Sequence, residues 1–159
     1  MTEFKVMAIP DMIRNYPNLP KQYSFKEGDI QIITITRDDK YEYNFTPLVE
    51  LDFDDITKYD LNVLDEDTQK KFTFVSEKHV ERLLEKLPEI KNAHLVFVCC
   101  DAGVSRSPAV AQALAHFLGE GKSYGNLTYR YPFANKDVFE TVLIGLQKHT
   151  QKLYKIDNS

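Results

Sequence analysis

The chain predicts an α/β sandwich, with a mixed, mostly parallel central sheet flanked by helices, in a single domain over residues 1–159. Three observations predict it. Apolar, β-branched segments alternate along the chain with segments of helical periodicity. One of the apolar segments, His94 to Val98, is continuous rather than alternating, as a strand buried on both faces requires. And 159 residues, 43% of them hydrophobic and 28% charged, suffice for one buried core but not for two. No repeat, biased tract or linker divides the chain.

Phe4 to Ile9 and Ile30 to Thr36 are predicted strands bounded by turn formers, Pro10 ending the first and Glu27-Gly28-Asp29 opening the second. A third strand, Pro47 to Phe53, alternates and then runs into Asp54-Asp55, so its C-terminal end delivers carboxylates into a loop. Residues 56–73 form a long polar connection. Ser76 is a suitable N-cap, and Val80, Leu83, Leu84 and Leu87 follow at helical spacing until Pro88 stops the helix. After the buried strand His94 to Val98 comes a loop from Cys100 to Ser105. A helix of small residues then opens at Ser107 with Pro108 in its first turn and is ended by Gly119 and Gly121. The last helix starts near Asn135, with Val138, Phe139, Val142, Leu143, Leu146 and Leu153 on one face.

Composition excludes several functions. Lys plus Arg number 20 and Asp plus Glu 24, a net charge of −4, so no global basic field exists to hold nucleic acid or anionic lipid. A local anion pocket is not excluded. Met1 to Lys5 lack the layout of a signal peptide, and the apolar run Leu95 to Cys100 is far too short to span a bilayer, so a cytoplasmic location is expected. The two cysteines are neighbours, Cys99 and Cys100; a bridge between them would be strained and close no useful loop, which leaves packing, metal binding or chemistry.

Ligands of open α/β sheets bind at the carboxyl ends of strands. At that place stands Cys100-Asp101-Ala102-Gly103-Val104-Ser105-Arg106, a Cys-x5-Arg pattern between a buried strand and a helix. The backbone N–H groups of Asp101, Ala102, Gly103, Val104 and Ser105 can curl around phosphoryl oxygens, with the partial positive charge of the helix N-terminus behind them. Gly103 permits the tight backbone. Arg106 closes the ring with a planar fork that takes two oxygens at once. Helix and arginine together favour a thiolate, which makes Cys100 a candidate nucleophile. Ser107 is placed to hydrogen-bond that sulfur as it leaves.

The stretch Val96 to Ser107 resembles the phosphate-binding loop of cysteine-based protein tyrosine phosphatases, in particular their small dual-specificity-like branch. The glycine three after the cysteine, the Ser-Arg-Ser run, the apolar strand before it and the Ala-rich helix after it carry the likeness. Tyr131-Pro132-Phe133-Ala134-Asn135, followed by Val138-Phe139, resembles the segment that opens the family's last helix. The resemblance covers roughly Pro47 to Leu146 and implies the phosphatase-type, dual-specificity-like fold. It implies a hydrolase of phosphorylated protein or peptide, acting as a monomer through a cysteinyl-phosphate, without metal or other cofactor and without nucleic acid or membrane as partner. It also implies a general-acid aspartate on a loop after an earlier strand, for which Asp55 fits best and Asp54 stands close behind. Asp52, Asp60, Asp65 and Asp67 are further acidic neighbours, and the separation of Asp55 from Cys100 exceeds the family's usual spacing, so an insertion is implied. Where the family usually has histidine before the nucleophile, this chain has Cys99, a modest hydrophobe for a strand whose thiol also offers a route to oxidative capture of Cys100.

The remaining residues have plainer readings. His79, His94, His116 and His149 are scattered, with no partners at metal-ligand spacing, so packing or surface accounts for them and no metal site is expected. Tyr124, Tyr129 and Tyr131 are read as aromatic packing of the loop before the last helix, ahead of a substrate-facing wall. The rival functions are a phosphate-binding module without turnover, for which the missing histidine argues, and a phosphatase of nucleotides, RNA 5′-ends or phosphoinositides. The loop interior carries no Lys or Arg, which polyanionic substrates generally need.

Overall fold

A computed structural model describes residues 1–23, 26 and 28–157, with side chains to residue 151. Four strands form one sheet in the order β1-β4-β2-β3: β1 is Glu3–Ala8, β2 Ile30–Ile35, β3 Val49–Leu51 and β4 Leu95–Cys100. All three ladders are parallel. The continuous apolar run is the central strand, and every residue of β4 is buried, because helices and loops cover both faces. The register brings Ala8 and Ile35 level with Cys100, so β1, β4 and β2 end together.

The pleat of β4 sorts its side chains into two cores. Val96, Val98 and Cys100 face the larger one, built with α5 (Glu77–Glu85), α7 (Arg106–Phe117) and α9 (Lys136–Asp157). Leu95, Phe97 and Cys99 face the smaller one, built from α1 (Ile9–Asn15) and Phe45, with Tyr41 and Tyr43 packed against it. Ala109, Ala111, Ala113 and Ala115 are fully buried, and their small side chains let α7 lie close between the sheet and its neighbouring helices. In α9, Val138, Val142 and Leu146 are fully buried, with Phe139 and Leu143 partly so. The side chain of Leu153 lies outside the described residues, as does Glu27 before β2. A Cβ on Gly145 would come within 2.9 Å of Val80, so α9 packs on α5 at this glycine.

Several boundaries differ from the sequence expectation. Pro10 opens α1 after β1 has ended at Ala8, since its missing N–H costs nothing in a first helical turn. A 3₁₀ turn, Tyr16–Asn18, and α2, Leu19–Gln22, follow it. Pro88 does not stop a helix: α5 ends at Glu85, and Pro88 sits in the first turn of α6, Leu87–Asn92. The polar connection holds two short helices, α3 (Lys58–Val63) capped by Thr57 and α4 (Glu66–Gln69) capped by Asp65. Neither buries a residue, so no apolar periodicity betrays them. Gly119 ends α7 with φ +74°, but Gly121 begins a further helix, α8 (Gly121–Arg130). That helix buries only Ser123 and Leu127, too few for a visible apolar stripe. It is tied to β1 by the Phe4 N–H donating to Ser123 Oγ at 3.0 Å, and to α7 by Gln112 Nε2 donating to the Leu127 carbonyl at 3.3 Å.

The turn after β4 folds back over the end of β1. Gly103 has φ +70°, and a Cβ there would stand 2.6 Å from the Ala8 nitrogen and 2.9 Å from the Met7 carbonyl carbon. Both the left-handed backbone and the backbone contact forbid a side chain. Gly103→Ala is therefore expected to destabilise the protein by about 2 kcal/mol or more, read from denaturant unfolding. Unchanged stability would mean that the turn does not seat on β1.

Candidate active site

The turn 101–105 joins the buried end of β4 to the N-terminus of α7, and three polar contacts converge on the sulfur of Cys100. Gly103 N–H donates to Sγ at 3.2 Å and Ser107 N–H at 3.4 Å, and Ser107 Oγ lies 3.1 Å away. These groups, with the helix N-terminus behind them, complement negative charge on sulfur. Among the described residues, the backbone N–H groups of Asp101, Ala102, Val104, Ser105 and Arg106 meet no protein acceptor. A turn rich in unpaired amides at a helix N-terminus is suited to an anion.

Cys99 has a different environment. It points into the smaller core, is fully buried, and burial followed by the neighbouring Cys100 pushes its thiol well above the ordinary range. Consecutive strand residues face opposite sides of a sheet, so the two sulfurs are directed apart. The expected oxidative capture of Cys100 by its neighbour finds no support in this arrangement; Cys99 fills a core position.

Arg106 is nine-tenths buried, and its fork is held by protein. Nη1 donates to the Phe53 carbonyl at 2.9 Å and Nη2 to Asp101 Oδ2 at 2.6 Å. Asp101 Oδ1 accepts from Thr36 Oγ1 at 2.7 Å. Burial would raise the Asp101 carboxyl, but the hydrogen bonds from Thr36 and Arg106 and the guanidinium charge outweigh it and hold it below its ordinary value. Burial first, and then Asp101, pushes the Tyr41 phenol up to about 12.

The acidic residues separate clearly. Asp55 is brought to the turn: its Oδ1 accepts from Ser105 Oγ at 2.8 Å and from Asn135 Nδ2 at 3.0 Å. Asp54 turns away, its Oδ2 accepting the Thr73 N–H at 2.7 Å with Arg37 4.0 Å distant. Asp52 pairs with Arg82 at 2.7 Å and meets His79 Nε2 at 3.1 Å; there the Arg82 and His79 contacts overcome burial to lower its carboxyl. Asp60 completes the cap of α3, Asp65 caps α4, and Asp67 lies in the first turn of α4.

Asn135 does more than the expected capping. Its Oδ1 accepts the N–H groups of Asp137 and Val138, both at 3.1 Å, while Nδ2 donates to Asp55 and to the Ile56 carbonyl and its own N–H donates to the Ser105 carbonyl. One side chain thus ties α9, the Asp55 segment and the turn together. The cap preference of asparagine was a readable signal; the meeting of three distant segments was not. Thr36, Tyr41 and the Phe53 carbonyl carried no signal at all.

The three tyrosines belong to α8 and its end, not to a loop. Tyr124 packs against His116 and Phe139, Tyr131 is partly buried, and Tyr129 is 91% exposed, so packing accounts for two of the three. Val104 and Phe133 stand exposed, one on the turn and one just before α9. His79 is buried, its Nδ1 accepting the Ser76 N–H at 2.9 Å. Among the described residues no three His, Cys, Asp or Glu side chains group to hold a metal ion, and no helix is long and apolar enough to cross a membrane.

No family model matches the chain, and no curated protein matches it in sequence. Solved structures similar to it along nearly its whole length include these two. One is PTPMT1, at 12% identity, with 96% of this chain and 95% of that one covered and a TM-score of 0.49. The other is a leucine rich repeat and phosphatase domain containing protein from Entamoeba histolytica, at 13% identity, with 98% and 91% covered and a TM-score of 0.42.

Proposed function

We propose that the chain is a cysteine-dependent phosphomonoester hydrolase acting on phosphorylated protein or peptide, on phosphotyrosine or with dual specificity. The observation that supports this reading is the convergence on one turn of the Cys100 sulfur, backbone amides without protein acceptors, the Arg106 fork and the Asp55 carboxyl. The Cys100 thiolate attacks phosphorus as the bond to the leaving oxygen breaks, and Asp55 in its acid form gives that oxygen its proton. Turn amides and Arg106 receive the charge that spreads over the equatorial oxygens. Water then attacks the cysteinyl-phosphate, Asp55 takes up its proton, and the sulfur leaves as a thiolate beside the Ser107 hydroxyl, 3.1 Å away.

Initial rates on phosphotyrosine, phosphoserine and phosphothreonine peptides, with chelator present and vanadate as inhibitor, test this directly. Turnover that chelator abolishes, or that ignores vanadate, would overturn it, and tight phosphopeptide binding without phosphate release would favour the binding module.

Cys100→Ser is expected to abolish turnover and to keep vanadate or phosphate binding. Asp55→Asn should cost about 10²- to 10⁴-fold in kcat on poor leaving groups and far less on good ones. Asn135→Asp retains the cap acceptor but loses the donor to Asp55 and sets a like charge beside it. Its melting temperature should fall, because Asn135 is buried and the new carboxylate faces Asp55 and the Ile56 carbonyl, and kcat measured where the variant is folded should fall by about tenfold; equal kcat would remove Asn135 from the positioning of the acid.

A further inference from the structure

We propose that Asp101 is a positioning residue, whose carboxylate, braced by Thr36, holds the Arg106 guanidinium in its oxyanion-binding orientation. The inference rests on the phosphatase reading for its effect on turnover, but not for its effect on anion binding.

An arginine side chain has many rotamers, and a guanidinium that must meet developing charge works best when already oriented. A guanidinium carries five N–H donors. Here Nη1 spends one on the Phe53 carbonyl and Nη2 one on Asp101, which leaves the Nε–H and one hydrogen on each terminal nitrogen for a ligand. Two anchors on different segments fix the plane of the group; with Asp101 removed, the single bond to Phe53 leaves rotation about one contact. Asp101 is in turn anchored. Its Oδ1 takes the Thr36 hydroxyl, and that hydroxyl oxygen also accepts the Asp38 N–H at 2.9 Å, which fixes the hydroxyl against the segment after β2. With both oxygens engaged by protein, the side chain of Asp101 is not a ligand group. Its negative charge is answered by Arg106 at 2.6 Å, so it can stand next to the nucleophile without closing the turn to anions.

A carboxylate beside a phosphate site has an opposite expectation from charge alone: removing it should strengthen anion binding. The two accounts therefore differ in sign. Vanadate affinity, melting temperature, kcat and KM are measured for the parent, Asp101→Asn, Arg106→Ala and the double variant. Asp101→Asn is expected to weaken vanadate binding by about tenfold, with a fall in kcat larger than any rise in KM, both read at a temperature where the melting curve shows the variant folded. In the Arg106→Ala background the same change should cause no further loss of vanadate affinity, and can only relieve the repulsion of a carboxylate left unpaired, because Asp101 supports binding through the guanidinium. Vanadate binding that is unchanged or tightened in Asp101→Asn, or losses that add in the double variant, would overturn the inference.

If Asp101→Asn does not fold, Thr36→Val removes the hydroxyl that braces Asp101 and leaves residues 101–106 unchanged. It should weaken vanadate binding by about two- to fivefold; no loss would equally overturn the role. A parent that binds vanadate but releases no phosphate would sink the proposed activity and leave this inference standing. A parent with full activity and an indifferent Asp101→Asn would do the reverse.

Discussion

The parallel pairing of β4 between β1 and β2, with Ala8, Cys100 and Ile35 at one level, is the constraint on which the site depends. Because the three strands stop together, the chain leaving β4 must turn at once over a shared edge, and Gly103 alone can pass that close to the β1 backbone. The turn that results leaves most of its amides without protein acceptors and delivers the chain into the first turn of α7. Burial of β4 on both faces makes this edge rigid, so the sulfur of Cys100 and the donors around it are set by the packing of the whole sheet.

The pleat of the same strand explains why two adjacent cysteines have separate fates. One side chain is directed to the larger core, where the turn and α7 bring hydrogen-bond donors to its sulfur; the other is sealed in the smaller core among Ile32, Met12 and Phe97. A core position flanked by such residues accepts a thiol as a small hydrophobe, and burial keeps it neutral.

Around the turn, hydrogen bonds replace what the acidic composition lacks in positive charge. A net charge of −4 is compatible with an anion site because Arg106 and unpaired amides act over a few ångströms, whereas exposed charges farther off than a Debye length are screened by salt. Asp55 approaches from the segment after β3, clasped by Ser105 and Asn135, while its neighbour Asp54 is spent on Thr73. The clasp joins segments 50 and 80 residues apart in the chain to one carboxyl oxygen.

Local patterns determined the elements whose faces are apolar: the continuous run of β4, the alternation leading to Asp54-Asp55, the stripe of α9 and the cap at Asn135 were legible, and so was the Cys-x5-Arg turn with Gly103. Polar elements escaped. α3, α4 and α8 bury at most two residues each, so periodicity had nothing to register, and Pro10 and Pro88 looked like stops although each sits in the first turn of a helix. The sequence by itself determined that Cys100 and Arg106 stand at the end of a buried strand. Only the tertiary structure decided which aspartate reaches them, that Asp101 holds the arginine, and that Cys99 turns its back on the site. Those outcomes follow from sheet register and from contacts between residues far apart in the chain, which no local pattern of residues encodes.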